Sequence, residues 1–460
     1  INLIVNTIVT LSIVGIAAML SEVFKLKRIM YSLVIAGLIV ALGFSINDWT
    51  NFGSYFNQMV MVDSFSVVFS SLMIVTTLLW MLMSRNYFNS ESSMSEHFAL
   101  IVFALTGGVM MTTFSNMSIL FLGLEILSFS LYIMAGSDKT NIKSNEAAMK
   151  YFIMGSFATG FLLFGITLIY GATSSFNIQE IANYTQQNKD ALPAFFKVGV
   201  LMILIGLSFK IAAAPFHFWT PDVYDGAPTL VTAFMASVVK IAAFAMIYRL
   251  FVSCFITIYD FWTPVFAVLS AITMLAGNIT AVYQTSLKRM LAYSSVAHAG
   301  YMLMALAAPG IASKNALLFY LAAYSLSALG AFNLLYSVHK VTGNEGIKAV
   351  KGLFYKHPVS AIMLTICMLS MAGIPPVAGF FGKYYLFTAA LKENLLWLVL
   401  IAVLSSLIGI YYYFKVIIAA FQQPETENTG YCEKPSDLAI LGICAVLSLL
   451  LGIAPQLISG

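Results

Sequence analysis

Charge is scarce in this chain. Only 9% of its 460 residues are Asp, Glu, Lys or Arg, against about 25% in an ordinary soluble domain. Such a chain cannot cover a water-facing surface. With 60% hydrophobic residues and a mean hydropathy of +0.90, its solvent must be lipid. A net charge of only +4 gives no electrostatic footprint for nucleic acid. Cysteine is scarce too. Cys254, Cys367, Cys432 and Cys444 form no CxxC pair and no Cys/His cluster, which leaves no case for zinc, an iron–sulfur cluster or a redox dithiol. No GxGxxG follows a strand and no GxxxxGK[ST] occurs, so nucleotide chemistry is unsupported. The opening apolar run is long enough to span a bilayer, so a cleaved signal peptide is not expected.

What is present is a succession of apolar runs. A membrane span needs about 20 mostly apolar residues, and the chain reads as roughly 14 of them. They fall near 2–21, 29–46, 63–83, 96–113, 116–136 and 146–172. The seventh runs from about 195 through a break at Pro215, and the next four lie near 228–252, 257–283, 288–308 and 315–338. The twelfth starts near 357, breaks at Pro375-Pro376 and resumes to about 391. The last two are near 394–421 and 437–456. Lys and Arg concentrate in the odd-numbered connections: Lys25, Lys27 and Arg28, then Lys139 and Lys143, then Lys288 and Arg289, then Lys340, Lys348, Lys351 and Lys356. The odd connections are therefore expected to face the cytoplasm, with both termini outside.

The two proline breaks lie five spans apart. A five-span repeat is odd, so its second copy must be inverted in the membrane, and broken helices in inverted repeats mark ion sites. The first repeat is expected over 96–252 and the second over 253–421, flanked by 1–95 and 422–460.

A few charges fall inside the spans. Glu125 is the carboxylate near a span midpoint, in "ILFLGLEILSFSLYIM". Lys210, Lys240 and Lys383 are mid-span bases, and Lys150 lies within the first turns of its span. Each costs roughly 2.5–3.5 kcal/mol on insertion scales, and a midpoint lysine snorkels poorly. Removal from water disfavours the ammonium, and a nearby carboxylate favours it. A lysine poised between those effects accepts or releases a proton as its partner approaches or retreats. Glu125 is the expected partner of Lys210. Pro215 lacks an N–H and frees a carbonyl beside Lys210, and freed backbone at membrane depth needs protein or water to satisfy it. The break thus predicts water beside the lysine.

Histidine titrates near neutrality and suits a relay, which singles out His298 in "SSVAHAGYML" ahead of His217. Asp222 and Asp225 read as structural. Gly107-Gly108 reads as helix packing. Asn116, Asn183 and Asn278 match N-x-[ST], a weak pattern.

These residues carry a resemblance. The chain resembles the antiporter-like membrane subunits of respiratory complex I, through "FLGLEILSFSLYIMAG", "EAAMKYFIMGSFATGFLLFG", "GLSFKIAAAPFHFWTPDVYDGAPT", "MASVVKIAAFA", "TAVYQTSLKRMLAYSSVAHAGY" and "GIPPVAGFFGKYYLF". The resemblance covers nearly the whole chain. It implies an all-α polytopic fold with two inverted five-helix repeats and proton translocation through Glu125, Lys150, Lys210, Lys240, His298 and Lys383. The family's distal member carries a long lateral helix after its core, where this chain ends at Gly460. Another member usually has glutamate where this chain has Lys383. The resemblance also implies that NADH, FMN, iron–sulfur clusters and quinone belong to partner subunits. The expected neighbours are an adjacent antiporter-like subunit and the small membrane-arm subunits, in a bacterial cytoplasmic (inner) membrane. The alternative is a cation/proton antiporter subunit of the related Mrp type.

Overall fold

A computed structural model describes residues 6–24, 27–88, 94–423 and 435–459. Lys25, Cys432 and the first residues of the opening span lie outside them.

The described chain is helical almost throughout. α1 (Asn6–Leu20), α2 (Lys27–Asn47), α3 (Ser64–Phe88), α4 (Met94–Thr113), α5 (Met117–Ala135) and α6 (Ile142–Thr173) follow one another. Between α2 and α3 lies a short antiparallel hairpin, β1 (Gly53–Tyr55) and β2 (Val60–Val62), with Gly53 opposite Val62. α7 (Ile178–Gln187) precedes α8 (Ala194–Lys210), α9 (Trp219–Gly226), α10 (Thr229–Ala236) and α11 (Val238–Cys254). Then come α12 (Tyr259–Val282), α13 (Leu287–Ala307), α14 (Ile311–Thr342), the single turn α15 (Leu353–Lys356), α16 (Pro358–Ala372), α17 (Ala378–Lys392), α18 (Leu396–Phe421) and α19 (Pro435–Ile453).

Eleven stretches among the described residues are long and apolar enough to cross a membrane. The three other expected spans fall on shorter helices: α1 with 15 residues, α8 with 17, and α16 and α17 with 15 each. The reason for the last two is local. α8 stops at Lys210, and residues 211–218 are irregular. Ala212 holds φ at +60°, which ends a right-handed helix outright. α16 stops at Gly373, with φ +82° and an N–H that bonds back to the Leu369 and Ser370 carbonyls, a left-handed glycine cap. Prolines lie a few residues beyond each stop, where they cannot continue the helix.

Three features depart from the sequence reading. The eighth span is interrupted at Ser237 (φ −111°, ψ −81°), between α10 and α11. No proline marks it; the Ser237 hydroxyl donates to the Ala233 carbonyl at 2.7 Å, and such bonding to the preceding turn bends helices. The connection before the seventh span carries α7, whose Ile178, Ile181 and Thr185 are buried and whose Gln and Glu face outward. The segment before the third span is the β1–β2 hairpin rather than a plain loop.

The chain forms two compact units. One comprises the chain up to Lys139, Ala148–Lys210 and Val238–Tyr259; the other comprises Thr140–Ala147, Ile211–Ser237 and the chain from Asp260 on. In the first, α4 and α5 meet at glycine: a Cβ on Gly107 would stand 2.5 Å from the Gly123 carbonyl oxygen, so only glycine allows that backbone approach. Arg249 of α11 is buried and forks onto both oxygens of Asp63 at 3.1 and 3.0 Å. It also donates to the Thr112 and Phe114 carbonyls. In the second, α13 and α14 are almost wholly buried.

Candidate functional site

The first cluster is built on three helices of the first unit. On α5, Glu125, Ser128 and Tyr132 recur at i, i+3 and i+7 and so share one face. α6 contributes Tyr151 and α8 contributes Lys210 as its final residue. Lys210 is 8% exposed. Its ammonium donates to Ser128 Oγ at 2.8 Å and to the Tyr151 hydroxyl at 3.4 Å. Glu125 stands within electrostatic reach of that ammonium and makes no contact ion pair with it. Its Oε1 is buried with no hydrogen-bond partner among the described residues. The expected Glu125–Lys210 pairing is thus one of charge at a distance, with Ser128, one turn along α5, making the direct bond. A small cavity lined by Leu124, Ser128, Tyr132, Thr159, Phe209 and Lys210 has room for about one water molecule.

The break after Lys210 is satisfied by protein at one point. Ala214 N–H donates to Thr273 Oγ1 of α12 at 2.9 Å. His217 follows, buried against Phe218 at 4.8 Å between ring centroids. Asp222 and Asp225 pair with Arg289 at 3.0 and 4.0 Å, ion pairs that tie α9 to α13.

The other predicted residues fall as follows. Lys150 lies on α6, partly buried and next to Tyr151. Lys240 is 4% exposed on α11, three residues after the Ser237 interruption. His298 is 3% exposed on α13. Its Nδ1 lies 2.7 Å from the Tyr320 hydroxyl and its Nε2 lies 3.0 Å from the Tyr413 hydroxyl. Tyr413 in turn bonds Ser294. Lys383 of α17 is 5% exposed. Its ammonium donates to the Ala372 carbonyl at 2.8 Å and to Ser406 Oγ at 2.9 Å, and sits 4.8 Å above the Tyr301 ring. The first unit therefore gathers Glu125 and Lys210, and the second holds His298 and Lys383.

Lys288, a connection charge by its sequence, is buried. Its ammonium donates to the Ala227 carbonyl at 2.8 Å and to Glu345 at 3.0 Å. Its place at the first turn of α13, just after the Ser286 N-cap, drew it to the loop in the sequence reading. The hydroxyl partners Ser128, Tyr151, Tyr413 and Ser406 were also missed. For Ser128 a signal exists: it follows Glu125 at i+3 on one helical face.

The arrangement places buried lysines beside hydroxyls and aimed carbonyls. The family model described as "NADH:quinone oxidoreductase/Mrp antiporter, TM" matches residues 114–409. NADH-quinone oxidoreductase subunit N of Cytophaga hutchinsonii is 43% identical over 455 residues, covering 98% of each chain. That of Flavobacterium psychrophilum is 42% identical over 451 residues, covering 98% of this chain and 97% of the relative. A chain of respiratory complex I from Thermus thermophilus superposes with a TM-score of 0.83 at 32% identity, covering 98% of both. A chain of the Mrp complex from Dietzia shares the fold, with a TM-score of 0.87 at 20% identity over 100% of this chain and 96% of that one. The chain belongs to the NADH:quinone oxidoreductase/Mrp antiporter membrane family, among the subunit N proteins.

Proposed function

We propose that this chain moves protons across the membrane as a non-redox subunit of an NADH:quinone oxidoreductase. Redox chemistry in partner subunits drives it, and NADH, FMN, iron–sulfur clusters and quinone bind there. The observation that carries the reading is Lys210: a lysine buried at the end of a broken helix, on two hydroxyls, with a carboxylate acting through charge. A change in a neighbouring antiporter-like or small membrane-arm subunit shifts Glu125 relative to Lys210. Lys210 then releases its proton toward Lys240, His298 and Lys383, with Lys150 nearer the cytoplasmic side. We assign the fold 14 spans, with spans 4–8 and 9–13 as inverted repeats. α1, the α8–α9 pair and the α16–α17 pair supply the spans that fall short as single helices. Both termini face the outer side of a bacterial cytoplasmic membrane.

The test uses the assembled complex in proteoliposomes. Lys210→Ala or Glu125→Gln should lower the protons moved per NADH oxidised. Full pumping by either variant ends the assignment. The fold shared with the Mrp complex keeps a cation antiporter as the second reading. Sodium-coupled flux from this chain alone, without NADH or quinone, would establish it.

A further inference from the structure

Asn278 opens one of the three N-x-[ST] triplets, yet it lies inside α12 and is only 2% exposed. Its side chain joins a polar file in the second unit. Oδ1 accepts from the Tyr412 hydroxyl at 2.8 Å. Nδ2 donates its two hydrogens to the Met274 carbonyl at 3.0 Å and to Ser405 Oγ at 2.8 Å, and the Tyr301 hydroxyl lies 3.5 Å from it. A carbonyl only accepts, so Met274 fixes which end of the amide is the nitrogen. Tyr412 must then be a donor. The donors run one way, from Tyr412 through the amide to Ser405.

Both ends of this file reach residues of the relay. At one end, Tyr412 lies beside Tyr413, their ring centroids 4.4 Å apart, and Tyr413 contacts His298 Nε2 at 3.0 Å. At the other, the Tyr301 hydroxyl lies beside Ser405 and Ser406, and Ser406 accepts from Lys383 at 2.9 Å. Gly409 leaves the room that the central bond needs: a Cβ there would stand 3.2 Å from Asn278 Oδ1 and 3.7 Å from the Tyr412 oxygen.

We infer that Asn278 is a positioning residue for proton transfer between His298 and Lys383, holding the Tyr412 hydroxyl and Ser405 in register between them. The inference rests on the proton-translocation reading above. A hydroxyl file conducts when each donor faces the next acceptor. At each hop one O–H bond breaks as another forms on the next oxygen, and rotation of the hydroxyls resets the file. The amide does not itself carry the proton; it stays intact and fixes the hydroxyls on either side of the hop.

The test uses the whole reconstituted complex, with protons moved per NADH oxidised as the readout and Lys210→Ala as the control. Asn278→Leu removes both halves of the amide and should lower the ratio by roughly fivefold or more, the effect of unseating buried hydrogen bonds, at every pH. Asn278→Asp separates positioning from mere packing. A protonated aspartic acid keeps one donor and one acceptor in the same shape, and the carboxylate keeps acceptors only. Pumping by Asn278→Asp should therefore recover as pH falls. Wild type, measured in parallel, corrects for the titratable groups that face the position or adjoin the file: Tyr301 and His298 on α13, Tyr320 on α14, Lys383 on α17, and Tyr412 and Tyr413 on α18. An Asp variant whose pH profile follows wild type overturns the inference. So does a Leu variant that pumps fully while Lys210→Ala does not. If Lys210→Ala itself pumps fully, the underlying reading falls and this inference with it. Where Asn278→Leu is not incorporated into the complex, the Asp profile decides.

Discussion

Lys383 donates its ammonium proton to the carbonyl of Ala372, the last residue of α16, at 2.8 Å. The end of a helix leaves its final carbonyls without intrahelical donors and carries the negative end of its dipole. A helix that ends beside a buried lysine therefore gives that cation a site in apolar surroundings. The lysine and the break belong together for that reason, and Lys210 stands at the corresponding end of α8.

Gly373 should be intolerant of any side chain. It holds φ at +82°, and a Cβ there would lie 2.8 Å from Lys383 Cδ and 3.0 Å from Nζ. Gly373→Ala is expected to cost about 1–2 kcal/mol for the left-handed backbone alone, and to push Lys383 off the Ala372 carbonyl. Thermal unfolding of the purified complex measures the first effect and pumping the second.

Ser128→Ala should keep Lys210 in place and remove its short bond. The ammonium would retain Tyr151 at 3.4 Å. Leaving a buried charged donor short of a partner costs about 1–3 kcal/mol, so proton pumping should slow several-fold while quinone reduction by uncoupled complex persists. Pumping equal to wild type would remove Ser128 from the site.

Arg249 and Asp63 make a structural prediction. Arg249 is 2% exposed at its side chain and Asp63 is 33% exposed. Removing one partner of a fully buried pair costs about 3–5 kcal/mol. The part-exposed carboxylate reduces this, so Asp63→Asn should destabilise by ~2 kcal/mol. Arg249→Leu should cost more, because the Thr112 and Phe114 carbonyls lose their donor as well. Thermal shifts of the solubilised complex rank the two.

Thr273→Val tests how the break at Pro215 is satisfied. It removes the acceptor of Ala214 N–H and keeps the shape. A buried N–H left unpaired costs about 1–3 kcal/mol, so loss of stability is expected. A variant as stable as wild type would mean that water fills the role.

The sequence displays its expensive features and hides its inexpensive ones. Lys210, Lys240 and Lys383 stand out because few charges occur among so many apolar residues, and proline marks both breaks. Ser128, Ser406 and Tyr413 carry no such mark. The chain has 23 tyrosines, and the bond from Lys210 to Ser128 spans 82 positions, so only the folded arrangement selects it. The Ser237 interruption escaped for a related reason: a serine within a helix bends it only when its hydroxyl turns back onto its own backbone. Lys288 read as a loop charge because its neighbours are polar, and its burial comes from the Ala227 carbonyl and Glu345, both distant in sequence.

The claim beneath all of this is that buried lysines hold and pass protons within the spans. Its most direct test is the number of protons translocated per NADH oxidised by reconstituted complex carrying Lys210→Met or Lys383→Met, methionine keeping the length and removing the charge. Both variants are predicted to lower that number, each in a complex that still assembles and reduces quinone. An unchanged number for both would contradict the account.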